Sequence, residues 1–199
     1  MPQPKPASAP LILAVTGASG APYARHFLRH LVRLGIPVEL VVSEAGARLI
    51  RDELDAPATP EGLCGGKAPG VHRRSIKDIG ASIAWGGRET RGMVLLPCSM
   101  GRVGSIAAGL SLDLVDRAAS VTMKEGRRLV LVPREAPIGA IHLDAMAALA
   151  RCGVTILPAS PGFYTRPKSI EDLLAFLTVR ICRSLGLPPP DAPGYRPRA

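Results

Sequence analysis

Short, uninterrupted apolar segments recur along the chain and constrain its fold more than any other feature. They lie at residues 11–15, 37–42, 93–96, 129–132 and 154–157. Strands that are apolar on both faces are typical of a parallel sheet covered by helices on either side. The runs therefore predict an α/β fold with an open, doubly wound, mostly parallel sheet, a three-layer sandwich of the flavodoxin-like or Rossmann-like kind.

The segments between these runs have helical periodicity. The first predicted helix carries apolar residues at helical spacing from Ala24 to Leu34, and Gly35 follows it as a typical helix stop. The last predicted helix begins at Ser169, whose spacing to Asp172 resembles a capping box. Because strands and helices alternate, we expect a ligand in a crevice at the carboxyl ends of the strands.

Composition divides the chain into a body and two tails. Residues 1–10 and 188–199 are rich in Pro and Ala and have little to bury, so they are predicted to be flexible tails around a single domain at 11–187. The segment 56–91 has scattered Gly and Pro, which predicts a surface excursion or an oligomer contact.

Cysteine usage and the first apolar run predict a soluble cytoplasmic protein without a membrane partner. The run at 11–15 is too short for a signal sequence or a membrane span. No C-x-x-C pair is present, so reduced thiols are expected. The four cysteines are Cys64, Cys98, Cys152 and Cys182.

The formal net charge of +9 is compatible with nucleic acid, a membrane surface or a phosphorylated ligand. Only 4% of the residues are aromatic, and no nucleic-acid-binding pattern is found, which disfavours nucleic acid. A basic cluster beside a crevice suits a phosphorylated ligand, although a solvated basic face is the alternative. The densest basic run contains Arg117, Lys124, Arg127, Arg128 and Arg134.

Polar or small residues follow every predicted strand. The loop at 16–21 joins the first strand to a helix, where main-chain N–H groups could bind a phosphate, or where the chain merely makes a tight turn. Its glycines are spaced G-x-x-G, which is not the dinucleotide fingerprint G-x-G-x-x-G. The other strand ends carry Ser43, Ser99, the pair Arg134 and Glu135, and residues 158–164.

Two other arrangements are weaker candidates. His26 and His30 lie four residues apart, as zinc ligands do, but no third ligand follows, so we interpret them as surface or packing histidines. Cys98 lies at a strand end without a nearby His, so we interpret it as a buried structural thiol. No metal site is predicted.

Five ordered motifs strongly resemble the UbiX family of flavin prenyltransferases. They are TGASGA (16–21), VVSEAGA (41–47), LLPCSMGRVGSIAAG (95–109), DRAASVTMKEGRRLVLVPREAP (116–137) and LPASPGFYTRPKSIEDL (157–173). The resemblance covers nearly the whole chain between the tails, and its last two motifs are the most specific.

This resemblance implies an enzyme that binds reduced FMN and transfers a dimethylallyl unit to it from dimethylallyl monophosphate, without a metal. The C1′ carbon would bond to N5 and the C3′ carbon to C6. The prenylated FMN would serve UbiD-type decarboxylases. The expected assembly is a homo-oligomer, typically a dodecamer, with active sites at subunit interfaces.

The resemblance also assigns roles to residues. FMN-binding residues are expected to be Gly17, Ala18, Ser19, Ser43, Ser99, Met100, Gly101, Arg102 and Arg134. Donor-binding residues are expected to be Arg117, Lys124, Tyr164 and Arg180. Catalytic residues are expected to be Ser19, Glu53, Lys124 and Glu135.

Two departures from the family pattern leave alternatives open. Where many relatives have a Ser-Gly-Ser-like element, residues 81–87 of this chain read ASIAWGG, so the wall of the prenyl pocket could differ and Trp85 could fill it. Gly101 and Arg102 replace the usual Lys-Thr or Gly-Thr continuation. The alternative functions are a cysteine decarboxylase-like FMN enzyme, whose Met-Asn segment is missing, and a non-catalytic FMN-binding subunit of a decarboxylase.

Overall fold

Buried apolar strands build the centre of the protein, whose computed structural model describes residues 9–191. These residues form one six-stranded sheet, and every pairing in it is parallel. All residues of β1, β2, β4 and β5 are buried. The strands are β1 (Leu11–Val15), β2 (Val38–Val42), β3 (Val71–Arg74), β4 (Met93–Cys98), β5 (Leu129–Pro133) and β6 (Thr155–Ile156).

Helices cover both faces of the sheet. The last helix begins after Ser169, and a capping box with Asp172 is present, as the sequence predicts. Within residues 9–191, none of the helices combines the length and apolar content that crossing a membrane requires. The helices are α1 (Ala21–Arg33), α2 (Glu44–Leu54), α3 (Pro60–Cys64), α4 (Met100–Ala107), α5 (Leu114–Lys124), α6 (Ala140–Arg151) and α7 (Ile170–Leu185), with short 3-10 turns at Ser82–Ala84 and Phe163–Thr165.

The strand order is β3-β2-β1-β4-β5-β6, which is the Rossmann order. It confirms the predicted doubly wound α/β fold and selects the Rossmann arrangement over the flavodoxin order. The chain changes direction across the sheet between β1 and β4, so the carboxyl ends of these two strands form the topological switch point. Ligands of open parallel sheets bind at this point.

Strand β3 was not predicted, because it lies at the sheet edge and only its first residue, Val71, is a large apolar one. Its last residue, Arg74, donates to the carboxylate of Glu39 on β2 at 3.0 Å, and Arg88 donates to the same carboxylate at 3.1 Å. Glu39 is only 2% exposed. This buried carboxylate therefore fixes the segment 56–91 to the sheet, where the sequence predicted a surface excursion or an oligomer contact and no strand.

Described residues on either side of the predicted domain limits contact the body of the protein. Ala9 and Pro10, which the sequence predicts to be tail, are buried, and their carbonyls accept hydrogen bonds from Arg91. The carbonyl of Pro188 is 2.8 Å from Nε2 of His30. The rest of the predicted tails, residues 1–8 and 192–199, lies outside the described residues.

All four cysteines are free thiols. Cys98 is completely buried at the end of β4, and burial raises the pKa of its thiol to about 12. A thiol with such a pKa is protonated and unreactive at neutral pH, in agreement with its interpretation as a structural residue.

The two histidines of α1 take part in packing. Nδ1 of His26 lies 2.6 Å from the hydroxyl of Thr178 on α7, and its Nε2 lies 3.3 Å from the carboxylate of Glu171. Burial lowers the pKa of His26, against the attraction of Glu171. Within residues 9–191, no group of three or more His, Cys, Asp or Glu side chains could hold a metal ion.

We predict that His26 makes the protein less stable in mild acid. Because its folded pKa lies below the unfolded value of about 6.5, the unfolded chain binds more protons between the two values, and stability falls as the pH drops below about 6.5. His26→Gln should flatten this decline in urea-unfolding midpoints. His72→Gln, at an exposed position, is the control; an equally steep decline in His26→Gln would refute the assignment.

Candidate functional site

A crevice of about 790 Å³ opens at the carboxyl edge of the sheet, at the switch point between β1 and β4. Its lining comes from the loops that follow β1, β2, β3 and β4, from helices α2 and α4, and from the residues just before α5. The lining residues are Thr16, Gly17, Ser43, Glu44, Ala45, Arg48, Ile76, Lys77, Ile79, Ser99, Arg102, Leu112 and Asp113.

Thr16 joins the two sides of this crevice. Its hydroxyl donates to the carbonyl of Pro97 at 2.9 Å and accepts from the N–H of Ser99 at 2.8 Å. Thr16 is only 1% exposed, so water does not compete with these bonds. The side chain therefore fixes the loop after β1 against the loop after β4.

The loop between β1 and α1 lies close to the start of α2. A Cβ at Gly17 would lie 2.6 Å from the Cβ of Ala45, so only glycine allows this approach. Glu53, near the end of α2, accepts from the N–H of Gly20 at 2.9 Å and of Ala21 at 2.7 Å. The carboxylate thus occupies the N-terminus of α1, where the sequence suggested a bound phosphate, and it holds the loop that carries Ser19.

The strand-end serines have different roles. The hydroxyl of Ser43 accepts from the N–H of Gly46 at 3.0 Å and caps α2. Ser99 occupies the same position before α4, but its side chain makes no capping bond, so its hydroxyl is available to a ligand. Met100 is buried in the core, whereas the neighbouring Gly101 is exposed.

Arg102 is held in an ion-pair network at the wall of the crevice. Its guanidinium donates to Asp113 at 3.0 Å and lies 2.9 Å from the carboxylate of Asp116, which is completely buried. Burial alone would lower the pKa of Arg102, but the hydrogen bonds to Asp113 and Asp116 outweigh it and raise the pKa. Because these carboxylates neutralise the guanidinium, Arg102 attracts an anionic ligand less than an unpaired arginine would.

Arg48 and Lys77 are cations of the crevice that the sequence analysis did not identify. Both line the cavity and are exposed, Arg48 on α2 and Lys77 after β3. Glu44 is the exposed carboxylate among the lining residues. The spacing of Arg48 after Ser43, on the second turn of α2, is the signal that could have identified it.

Arg134 and Glu135 follow β5 and lie next to the first loop. Nε of Arg134 donates to the carbonyl of Ser19 at 3.2 Å, which brings these two predicted site residues together. The carboxylate of Glu135 accepts from the N–H of Ala136 at 3.1 Å. Ser19, Arg134 and Glu135 are all exposed, so they are accessible to a ligand.

Tyr164 and Arg180 are joined through one aromatic ring. Tyr164 packs edge-on against Phe176 with ring centroids 5.8 Å apart, and the guanidinium of Arg180 lies 5.6 Å from the centre of the same ring. Both residues are exposed. The structure therefore brings together these two predicted donor-binding residues.

Lys124 lies at the opposite edge of the sheet from the crevice. Helix α5 begins beside Asp113, which lines the crevice, and ends at Lys124. At the same far edge, where β4 and β5 begin, the N–H of Met93 donates to the carbonyl of Arg128 at 2.9 Å. The 11 residues of α5 span about 16 Å, so Lys124 of one chain does not reach the crevice of that chain. Arg117 is exposed on the same helix, two turns nearer the crevice.

Comparisons with known proteins show which family this chain is similar to. The protein-family model described as Flavoprotein matches residues 3–181 of this chain. The flavin prenyltransferase UbiX of Halalkalibacterium halodurans is 42% identical over 180 residues, which cover 88% of this chain and 87% of the relative.

Two solved structures have similar folds. The crystal structure of AnUbiX in complex with FMN and dimethylallyl pyrophosphate has a TM-score of 0.82 and 37% identity, over 90% of this chain and 93% of that chain. The dodecameric FMN-dependent Ubix-like decarboxylase from Escherichia coli O157:H7 has a TM-score of 0.85 and 36% identity, over 94% of this chain and 99% of that chain.

We predict that Glu53 stabilises the loop that carries Ser19. Glu53→Ala should lower the free energy of unfolding by about 1–2 kcal/mol, because it removes a carboxylate from a helix N-terminus. Asp52→Ala, at the exposed neighbouring position, should change it by less than about 0.5 kcal/mol. Equal urea midpoints for the two variants would show that the contact contributes nothing.

Proposed function

The chain belongs to the UbiX family of flavin prenyltransferases, and we propose that its sheet-edge crevice binds FMN and that the family reaction takes place there. The observation that carries this proposal is the crevice at the β1/β4 switch point, with an accessible Ser99, two cations and a close Gly17 loop. We also propose the roles of the individual residues.

The residues of the crevice fit FMN. The cavity of about 790 Å³ is within the range of small-molecule sites. Arg48 and Lys77 would bind the phosphate, and Gly17, Ser43 and Ser99 would contact the rest of the cofactor. Arg134 would hold the ring through its position beside Ser19. Reduced FMN, when bound, supplies the nucleophilic atoms N5 and C6.

The donor phosphate would lie near Glu135, where charge develops during the reaction. The C1′–O bond of dimethylallyl monophosphate breaks, and its electron pair leaves with the phosphate. Arginine and lysine side chains stabilise that growing charge electrostatically, a role we assign to Arg180 and Lys124. Glu135 needs a proton or a neighbouring cation to face a phosphate, and Arg134 is adjacent in sequence. Tyr164 would contact the same donor.

The position of Lys124 supports a site made from more than one subunit. Because α5 separates Lys124 from the crevice of its own chain, its phosphate contact would come from another copy of the chain. Arg117, on the same exposed face of α5, would support that phosphate from the same copy. This arrangement would explain why a homo-oligomer is expected. The similar Escherichia coli protein is described as dodecameric.

We also propose that the product is delivered to a UbiD-type decarboxylase. It is supported by the family resemblance. Activation of a purified, cofactor-free decarboxylase of this type by the reaction product would test it.

We predict that the purified protein prenylates FMN. Incubation with reduced FMN and dimethylallyl monophosphate should give a flavin heavier by one five-carbon prenyl unit, measured by mass spectrometry. A parallel reaction with the pyrophosphate identifies the preferred leaving group. An unchanged flavin mass, with FMN bound, would overturn the proposed reaction and favour a non-catalytic FMN-binding subunit.

We also predict that Lys124 and Glu135 act in one site from different chains. Lys124→Ala and Glu135→Gln should each retain FMN and lose about 10²- to 10³-fold in turnover, because each removes a group that acts on the leaving phosphate. Co-assembly of the two variants should restore turnover in about a quarter of the sites, where an intact crevice meets an intact Lys124.

The matched control is a co-assembly of Glu135→Gln with Arg134→Ala, two changes in the same crevice, which should restore nothing. If the mixture of Lys124→Ala and Glu135→Gln stays as inactive as its components, both residues act within one chain.

A further inference from the structure

Trp85 is a large aromatic residue that one chain leaves uncovered. It is the only tryptophan of the protein and is 67% exposed. It follows the 3-10 turn Ser82–Ala84, in which Ile83 and Ala84 are buried, so the main chain before it is fixed. A Cβ at Gly87 would lie 2.6 Å from the indole ring, so the ring lies over this glycine in a defined position.

Trp85 and Lys124 are connected through their chain neighbours Gly86 and Glu125, which contact each other. Glu125 packs so closely on Gly86 that a Cβ there would have no room, and Arg127 donates to the carbonyl of Gly86. Nζ of Lys124 is 3.7 Å from the carboxylate of the same Glu125. We call the group Trp85, Gly86, Lys124 and Glu125 the Trp85 corner.

The crevice rim offers a complementary surface. Ile79 and Leu112 line the crevice and are 60% and 69% exposed. Apolar side chains of this size gain about 1.5–3 kcal/mol each when they are fully buried. An indole ring that covers the rim of another copy would bury apolar surface on both partners, with Lys124 carried along beside it.

We propose that Trp85 of one subunit forms a wall of the prenyl pocket in the crevice of another subunit and limits the length of the donor chain. The inference rests on the proposed function, in which Lys124 reaches the donor phosphate of another copy. Because the Trp85 corner is held together by Glu125 and Gly86, a subunit that places Lys124 at this phosphate also places the indole ring beside the allyl chain. A rigid ring at this point leaves room for five carbons and excludes ten.

The test compares dimethylallyl and geranyl monophosphates as donors. The ratio of kcat/KM for geranyl over dimethylallyl should rise about tenfold or more in Trp85→Ala, because a pocket that gains volume accepts the longer chain. Trp85→Phe should give an intermediate ratio. Leu34→Ala, at an exposed apolar position at the end of α1, is the control and should leave the ratio unchanged.

Trp85 emission provides a second readout that requires no turnover, since no other tryptophan contributes to it. In the assembled FMN-free protein, acrylamide should quench the emission less than it quenches a free tryptophan. Dimethylallyl monophosphate should reduce the quenching further, and inorganic phosphate should not. Quenching equal to that of free tryptophan, or an unchanged donor ratio in Trp85→Ala, overturns the proposal.

The outcomes separate this inference from the proposed function. If the unmodified protein fails to prenylate FMN with the dimethylallyl donor, the proposed function fails. If it prenylates FMN and Trp85→Ala keeps the donor ratio, only the role of Trp85 fails.

Discussion

The paired hydrogen bonds of Thr16 are the interaction on which the rest of the site depends. At the switch point of a Rossmann sheet, the connections that follow two paired strands, here β1 and β4, run to opposite faces of the sheet and leave a crevice between them. The Thr16 hydroxyl joins the loops after these two strands, since it donates to the carbonyl of Pro97 and accepts from the N–H of Ser99. Both hydrogen bonds are shielded from water. Leaving such buried groups unpaired costs about 1–3 kcal/mol each. The crevice therefore has a fixed width at its base, while its rim carries exposed side chains.

The same helix geometry that builds the crevice keeps Lys124 far from it within one chain. Each crossover helix starts at the carboxyl edge of the parallel sheet and ends at the amino edge, so its first residues border the ligand and its last residues face away. Helix α5 has Asp113 at its start, beside the crevice, and Lys124, a proposed donor-binding residue, at the far edge. A symmetric assembly would bring Lys124 to a crevice, because each copy can place the amino edge of its sheet beside the crevice of another copy.

Much of the fold follows from local sequence patterns. Strands β1, β2, β4 and β5 are predictable because burial on both faces requires continuous apolar residues. The start of α7 is predictable because capping at Ser169 is a local interaction. Strand β3 is not, since an edge strand needs apolar residues on one face at most, and its attachment depends on the buried Glu39, 35 residues away from Arg74.

The candidate site is predictable in position but not in its contacts. The ends of the predicted strands identify the edge of the sheet at which Gly17 and Ser99 both line the crevice. The bond from Gly20 to Glu53 joins residues 33 apart, and the cations Arg48 and Lys77 come from separate elements, so these depend on packing that a local pattern does not encode. The motif that contains Lys124 identifies this residue as a candidate for donor binding. Only the direction of α5 shows that Lys124 lies far from the crevice of its own chain.

The central claim is that one chain supplies the FMN crevice and another supplies Lys124. A structure of the assembled protein with FMN and an unreactive dimethylallyl phosphate analogue tests it most directly, through the distance from the donor phosphate to Nζ of Lys124 in each copy. We expect FMN at the β1/β4 switch point and Lys124 of a neighbouring copy at the phosphate. FMN bound elsewhere, or a phosphate contacted by Lys124 of the same chain, would contradict it.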